Sequence, residues 1–105
     1  MSAENEEFQI SQEKEGNKLT VFLKGEINVA TSKEFDDFIN DNLEGVSELE
    51  FDLKEVDFVS SAGLRVFLNA QKIMDKQGSM LIRNMSEDVF NVFEMTGFSD
   101  VVNIV

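Results

Sequence analysis

The apolar residues of this 105-residue chain change their spacing several times, and this alternation limits the fold more than any other feature. Apolar residues that alternate with polar ones predict a half-buried strand, whereas a spacing of three or four positions predicts an amphipathic helix. The resulting element order is β-β-α-β-α-β-α-β. We therefore expect a single α/β domain with a mixed, mostly parallel sheet, because strands that are separated by helices pair in parallel through right-handed crossovers.

The first two strands are predicted to form an antiparallel hairpin. Apolar and polar residues alternate on both sides of a turn at Glu15-Gly16-Asn17, and the second strand is expected to end near Gly25. The acidic segment before the hairpin, residues 1–7, is expected to be a disordered N-terminus. The folded domain is accordingly predicted to span residues 8–105.

Three helices are predicted between the later strands. The first should begin in "GEINVATSKEF", where Thr31 and Glu34 fit a capping box, and Phe35 and Phe38 are expected in the core. The second should follow Gly63 and end before Gly78.

Further short elements complete the prediction. "SMLIRN" is predicted to be a strand, Ser86 to cap the third helix, Gly97 to close that helix, and "VVNIV" to form the last strand.

Composition excludes several classes of function. With 21 acidic against 9 basic residues the net charge is −12, which makes nucleic acid an unfavourable partner. The chain has no His and no Cys, so a Ser-His-Asp triad, imidazole metal sites and disulfides cannot form within it. We expect no catalytic residue, metal or cofactor. The lack of a long apolar stretch, of a leader and of cysteine predicts a cytoplasmic protein with no membrane insertion.

The stretch "VDFVSSAGLRVFL" stands out because an apolar run through Val56, Phe58 and Val59 stops at two serines and resumes with helical spacing. Either Ser60 or Ser61 could cap the helix that follows. Ligands of open parallel sheets gather beyond the carboxyl ends of the strands, so a serine at this corner could equally be a functional hydroxyl. These residues alone leave both interpretations open.

Three stretches resemble STAS domains of the bacterial anti-sigma factor antagonist type. They are "GEINVATSKEF", "LEFDLKEVDFVSSAGLRVFL" and "MSEDVFNVFEMTGFSDVV", and at these spacings they cover nearly the whole chain. The resemblance implies a STAS fold. It also implies a regulator of transcription that is not an enzyme and that binds an anti-sigma factor with serine/threonine kinase activity.

The resemblance further implies a switch. The unmodified protein would capture its partner, phosphorylation at Ser61 would release it, and a phosphoserine phosphatase would reverse the change. The partner-binding residues carried over by position are Asn28, Ser60, Ser61, Ala62, Gly63 and Arg65.

Two positions depart from the family pattern, since Ser60 and Asn28 stand where an aspartate is common. Ala62 and Gly63 are expected to leave room for the partner's backbone, so that a leucine at Gly63 would weaken binding without unfolding the domain. The alternative function is a STAS scaffold without phosphorylation, in a transport-associated or stress-signalling complex.

Overall fold

The structure, a computed structural model, describes residues 8–105, so the expectation for residues 1–7 lies outside the described residues. The predicted order of strands and helices is confirmed, with one additional 3-10 helix. In chain order the elements are β1 (Gln9–Glu15), β2 (Lys18–Ile27), α1 (Val29–Asn42), β3 (Glu48–Val59), α2 (Ser61–Gln77), β4 (Ser79–Arg83), α3 (Glu87–Met95), the 3-10 helix (Phe98–Asp100) and β5 (Asn103–Ile104).

The five strands form one mixed sheet in the order β1-β2-β3-β4-β5. β1 pairs antiparallel with β2, and the remaining neighbours pair in parallel. The hairpin turn contains Gly16 at a φ of 61°, a left-handed conformation that glycine adopts without strain. The predicted α/β architecture with an N-terminal antiparallel hairpin is therefore confirmed.

The core lies between the sheet and the helices. The parallel strands lie side by side in chain order. Because the crossovers between them all have the same hand, the helices lie on one face of the sheet. Four phenylalanine rings occupy the centre of this layer, with ring centroids 4.9 Å apart for Phe35–Phe67, 5.0 Å for Phe51–Phe67 and 5.5 Å for Phe67–Phe93. Phe35 is fully buried, as the sequence predicted, whereas Phe38 packs against the edge of the core.

An ion-pair network ties the strands together on the other face of the sheet. Glu50 of β3 contacts Lys18 of β2 at 3.3 Å and Arg83 of β4 at 2.8 Å, although only 10% of the glutamate side chain is exposed. A nearly buried carboxylate needs such partners, because an unpaired one would cost several kcal/mol. The network links three adjacent parallel strands and favours one pairing register between them. This register determines where the carboxyl ends of the strands lie relative to one another.

The start of α1 differs from the prediction. The Thr31–Glu34 capping box is wrong, because the helix begins at Val29 and its N-cap is Asn28. The Thr31 amide donates to Asn28 Oδ1 at 3.0 Å and the Asn28 amide donates to Thr31 Oγ1 at 2.8 Å. β2 continues past Gly25 to Ile27, which leaves no room for a loop before the helix.

The later elements follow the prediction closely. α2 ends at Gln77 with Gly78 as its C-cap, and Ser86 caps α3 through its side chain. α3 is followed by Gly97 at a φ of 82°, which confirms the predicted closure of that helix. The last strand is confirmed within "VVNIV", although its paired residues are only Asn103–Ile104.

Candidate functional site

Two helices begin side by side at the carboxyl edge of the sheet. Ile27 at the end of β2 pairs with Val59 at the end of β3, and the Ser60 amide donates to the Ile27 carbonyl at 2.8 Å. Asn28 and Ser60 follow these strands and cap α1 and α2. The end of β2 and the serine corner therefore lie at the same edge of the sheet.

Ser60 is the residue that caps α2. Its backbone is extended, with φ −85° and ψ 174°, and its hydroxyl oxygen accepts the Gly63 amide at 3.2 Å. The Leu64 amide donates to the Ser60 carbonyl at 2.9 Å. Of the two serines, Ser60 is therefore the helix cap, and Ser61 has no capping role.

Ser61 is the first residue of α2 and is exposed. Its hydroxyl makes no hydrogen bond within residues 8–105. The backbone amides of Ser61 and Ala62 belong to the first helical turn, where a helix offers no carbonyl to accept them. The corner therefore combines a hydroxyl that makes no hydrogen bond with two backbone amides that could donate hydrogen bonds to an anion.

A side chain at Gly63 would point into the core. A Cβ atom at this position would lie 2.7 Å from Ile27 Cγ2, 3.1 Å from the Ile27 carbonyl oxygen and 3.1 Å from Val59 Cγ1. The expectation that a leucine here would stay outside the core is thus wrong. Gly63 is needed so that the first turn of α2 can approach the ends of β2 and β3 closely.

Arg65 and Ala62 lie on the side of α2 that faces α1. Arg65 is exposed, and the structure gives its guanidinium no ion pair within residues 8–105. A shallow groove of about 310 Å³ runs between the two helices at this point. Its lining residues come from both helices and are Ser32, Lys33, Asp36, Ala62, Arg65 and Val66.

Two exposed apolar residues at this edge were missed by the sequence reasoning. Val29, the first residue of α1, is 76% exposed, and Phe58, near the end of β3, is 46% exposed. Of the apolar run Val56, Phe58 and Val59, the two valines take the core positions. The spacing of three between these valines was the available signal, since a regular strand would bury every second residue.

The structure brings together the residues that the resemblance selects. Ser61 and Arg65 are exposed, Asn28, Ser60 and Ala62 are half-buried, and Gly63 is buried beneath them. No group of His, Cys, Asp and Glu in residues 8–105 could hold a metal ion. Within the same residues, the helices lack the combination of length and apolar character that a membrane crossing requires.

Comparisons with known proteins identify the family of the domain. The sequence model of the STAS domain matches residues 9–105. The anti-sigma-B factor antagonist of Bacillus subtilis (strain 168) is 33% identical over 89 residues, which cover 84% of this chain and 82% of that protein.

Solved structures of anti-sigma factor antagonists share the fold. An anti-sigma factor antagonist from Mycobacterium paratuberculosis superposes with a TM-score of 0.84 at 18% identity, covering 92% of this chain and 84% of that one. The unphosphorylated anti-sigma factor antagonist SpoIIAA has a TM-score of 0.72 at 17% identity, covering 93% of this chain and 86% of that one. The phosphorylated form of SpoIIAA, from Bacillus, has a TM-score of 0.71 at 17% identity, over 93% and 90% of the two chains.

Proposed function

The chain belongs to the STAS domain family, and we propose that it is an anti-sigma factor antagonist that binds its partner through the corner at Ser61. The observation that carries this proposal is the state of Ser61. Its hydroxyl is exposed and unbonded within the described residues, at the start of a helix and at the same edge of the sheet as the exposed side chains of Val29 and Phe58. The relatives that bear the name of anti-sigma factor antagonist support the choice of partner.

The surface around Ser61 suits a protein partner. Val29 and Phe58 supply apolar area, and Asn28, Ser60 and Ser61 are all uncharged. Uncharged polar groups beside exposed apolar side chains are typical of the centre of a protein interface, from which charged residues are depleted. The neighbouring groove between α1 and α2 is open and shallow, so it offers little enclosure to a small molecule.

The second half of the proposal is a switch by phosphorylation. The partner is an anti-sigma factor with serine/threonine kinase activity, and it transfers the γ-phosphoryl group of ATP to the Ser61 hydroxyl oxygen, which loses its proton as ADP leaves. Phosphate adds about −1.5 to −2 charges to a surface that already has the exposed carboxylates of Glu26 and Asp57 nearby. Desolvating this charge in the interface is costly, so the complex dissociates. A phosphoserine phosphatase restores the binding form.

The two departures from the family pattern leave the corner intact. Ser60 and Asn28, which stand where the family commonly has aspartate, are the N-caps of α2 and α1. Asp, Asn and Ser rank alike as N-caps, so these replacements keep both helix starts while removing two carboxylates. Fewer carboxylates mean less repulsion of a phosphate at Ser61. The departures are therefore compatible with the switch.

The experiment that tests the proposal is incubation of the protein with its cognate kinase-type anti-sigma factor and ATP, followed by intact-mass measurement and peptide mapping. We expect one phosphoryl group, located on Ser61. Ser61→Ala should abolish the addition, and the matched variant Ser60→Ala, which loses the cap and keeps the acceptor, should still be modified. Binding without any phosphorylation would instead favour the scaffold alternative, and phosphate on Ser60, Thr31 or Ser86 would refute the acceptor.

A further inference from the structure

Arg65 is the nearest cation to Ser61 along α2, and it makes no ion pair within the described residues. The three ion pairs of the described residues involve Lys18, Lys33 and Arg83, so the guanidinium of Arg65 has no carboxylate partner there. The side chain is exposed at the edge of the groove between α1 and α2. Five lysines within residues 8–105 also lack an ion pair, so the position of Arg65, and not its missing partner, distinguishes it.

The spacing of Ser61 and Arg65 places their side chains next to each other. Both residues lie in α2, four positions apart, and residues with this spacing have Cβ atoms about 5–6 Å apart on one face of a helix. An acidic group that precedes a basic group by four residues is the favourable orientation for an ion pair along a helix. Arginine is also suited to phosphate because its planar fork can donate two parallel hydrogen bonds.

The start of the helix adds a second attraction for a phosphate at this position. The Gly63 amide is already bonded to Ser60 Oγ, and the Ser61 and Ala62 amides remain free within residues 8–105. The first turn of α2 contains no acidic residue that would compete for these amides. Asp36 of α1 lines the same groove as Arg65, but its carboxylate accepts hydrogen bonds from Asn40 and Asn69 and makes no ion pair with the arginine. A phosphate on Ser61 would therefore meet amides on one side and a guanidinium on the other.

We propose that Arg65 binds the phosphate of modified Ser61 in an ion pair along α2, so that the chain itself fixes the phosphate at the corner. This inference rests on the proposed modification of Ser61. The pair holds the phosphate across the first turn of the helix, where it covers the surface that the unmodified serine offers. The pair also occupies the Arg65 guanidinium. One modification therefore adds a charge at Ser61 and makes the Arg65 cation less available to a partner.

The test uses the full chain with phosphoserine incorporated at position 61 during synthesis, so that no kinase or partner is needed. Phosphorus NMR follows the second ionisation of the phosphate as the pH is varied. In the otherwise unchanged protein, the phosphate pKa should lie about 0.5 below that of the Arg65→Gln variant, because a neighbouring cation favours the dianion. Arg65→Lys, which keeps the charge and loses the fork, should lie between the two.

Two matched variants control for net charge and for position. Lys72→Gln removes an exposed cation seven residues further along the same helix and should leave the phosphate pKa unchanged. Lys33→Gln removes the cation of α1 that lines the groove and should have a smaller effect than Arg65→Gln. An effect of Arg65→Gln no larger than that of Lys72→Gln would overturn the inference, as would a larger effect of Lys33→Gln. Failure of the kinase to modify Ser61 would refute the proposed function and leave this measurement intact.

Discussion

The helices α2 and α3 begin with the same cap and differ in the three residues that follow it. Ser60 and Ser86 each accept the amide of the third helical residue at 3.2 Å. In α3 the next residues are Glu87 and Asp88, whose carboxylates lie in the first turn. In α2 the first turn contains no acidic residue.

This difference separates a structural helix start from one that suits regulation. Carboxylates in the first turn of α3 permanently offset the partial positive charge of the helix N-terminus. In α2 the same positions hold Ser61 and Ala62, so that charge is not offset and a phosphate could offset it. α1, which begins beside α2, also has no acid in its first turn. A first turn without an acidic residue is thus shared by the two adjacent helices and not by the third.

The largest expected effect concerns the third helical residue, which is Gly63 in α2 and Val89 in α3. Gly63→Val would give α2 the residue that α3 has, and we expect it to destabilise the domain by at least about 2 kcal/mol, because the Cβ atom would meet Ile27 at 2.7 Å. Chemical denaturation measures the loss. Ala62→Val, which adds the same side chain on the groove side, should cost less than about 0.5 kcal/mol. If Gly63→Val destabilised the domain as little as Ala62→Val, α2 would accept a valine at its third position as α3 does, which would contradict the expectation.

A second expected effect concerns the apolar residues beside the start of α2. Phe58→Ser should weaken binding of the anti-sigma factor by about tenfold or more, which corresponds to about 1.4 kcal/mol. Val29→Ser should act in the same direction. Met95, at the end of α3, is 85% exposed and provides the control, since Met95→Ser should leave the affinity unchanged. Surface plasmon resonance with the immobilised partner measures all three. A loss confined to Met95→Ser would move the interface away from the corner.

The two caps should contribute alike to stability. Ser60→Ala and Ser86→Ala each remove one hydroxyl that accepts an amide, and each should cost about 1 kcal/mol in the free energy of unfolding. Urea denaturation of both variants gives the comparison. A cost at Ser60 far above that at Ser86 would mean that Ser60 does more than cap its helix.

The smallest expected effect is a gain in stability. Ser61→Asp places a carboxylate at the first position of α2, as Glu87 does in α3, and should stabilise the fold by about 0.3–1 kcal/mol at low ionic strength. Glu87→Gln should destabilise by a similar amount. Both changes should shrink in concentrated salt, because the interaction with the helix N-terminus is screened. Thermal unfolding at low and high salt distinguishes this effect from a change in packing.

The parts of the fold that depend on local signals were predictable from the sequence. Gly16-Asn17 marked the hairpin, Ser86 marked the start of α3, and Gly78 marked the end of α2. Each of these signals acts within a few residues. The order of elements and the parallel pairing followed from them, because the connections between parallel strands have few alternatives.

The missed features depend on contacts between distant parts of the chain. The helix cap at Asn28 was missed because β2 extends to Ile27, and that extension is fixed by pairing with Val59. The burial of Gly63 and the exposure of Phe58 arise from how α2 packs on the ends of two strands, which no local pattern encodes. At the corner, the resemblance selected Ser61, and the geometry assigned the capping role to Ser60. Phosphorylation of Ser61 stays a prediction.

The most direct test of the account is calorimetric titration of the anti-sigma factor with the unmodified protein and with the variants Ser61→Ala and Ser61→Asp. We expect Ser61→Ala to bind about as tightly as the unmodified protein, since it removes an exposed hydroxyl and adds no charge that the complex would desolvate. Ser61→Asp should bind at least about tenfold more weakly even though the same substitution stabilises the free domain, because the carboxylate would be desolvated in the complex. Equal affinities of Ser61→Ala and Ser61→Asp would contradict the charge switch and leave the corner without a regulatory role.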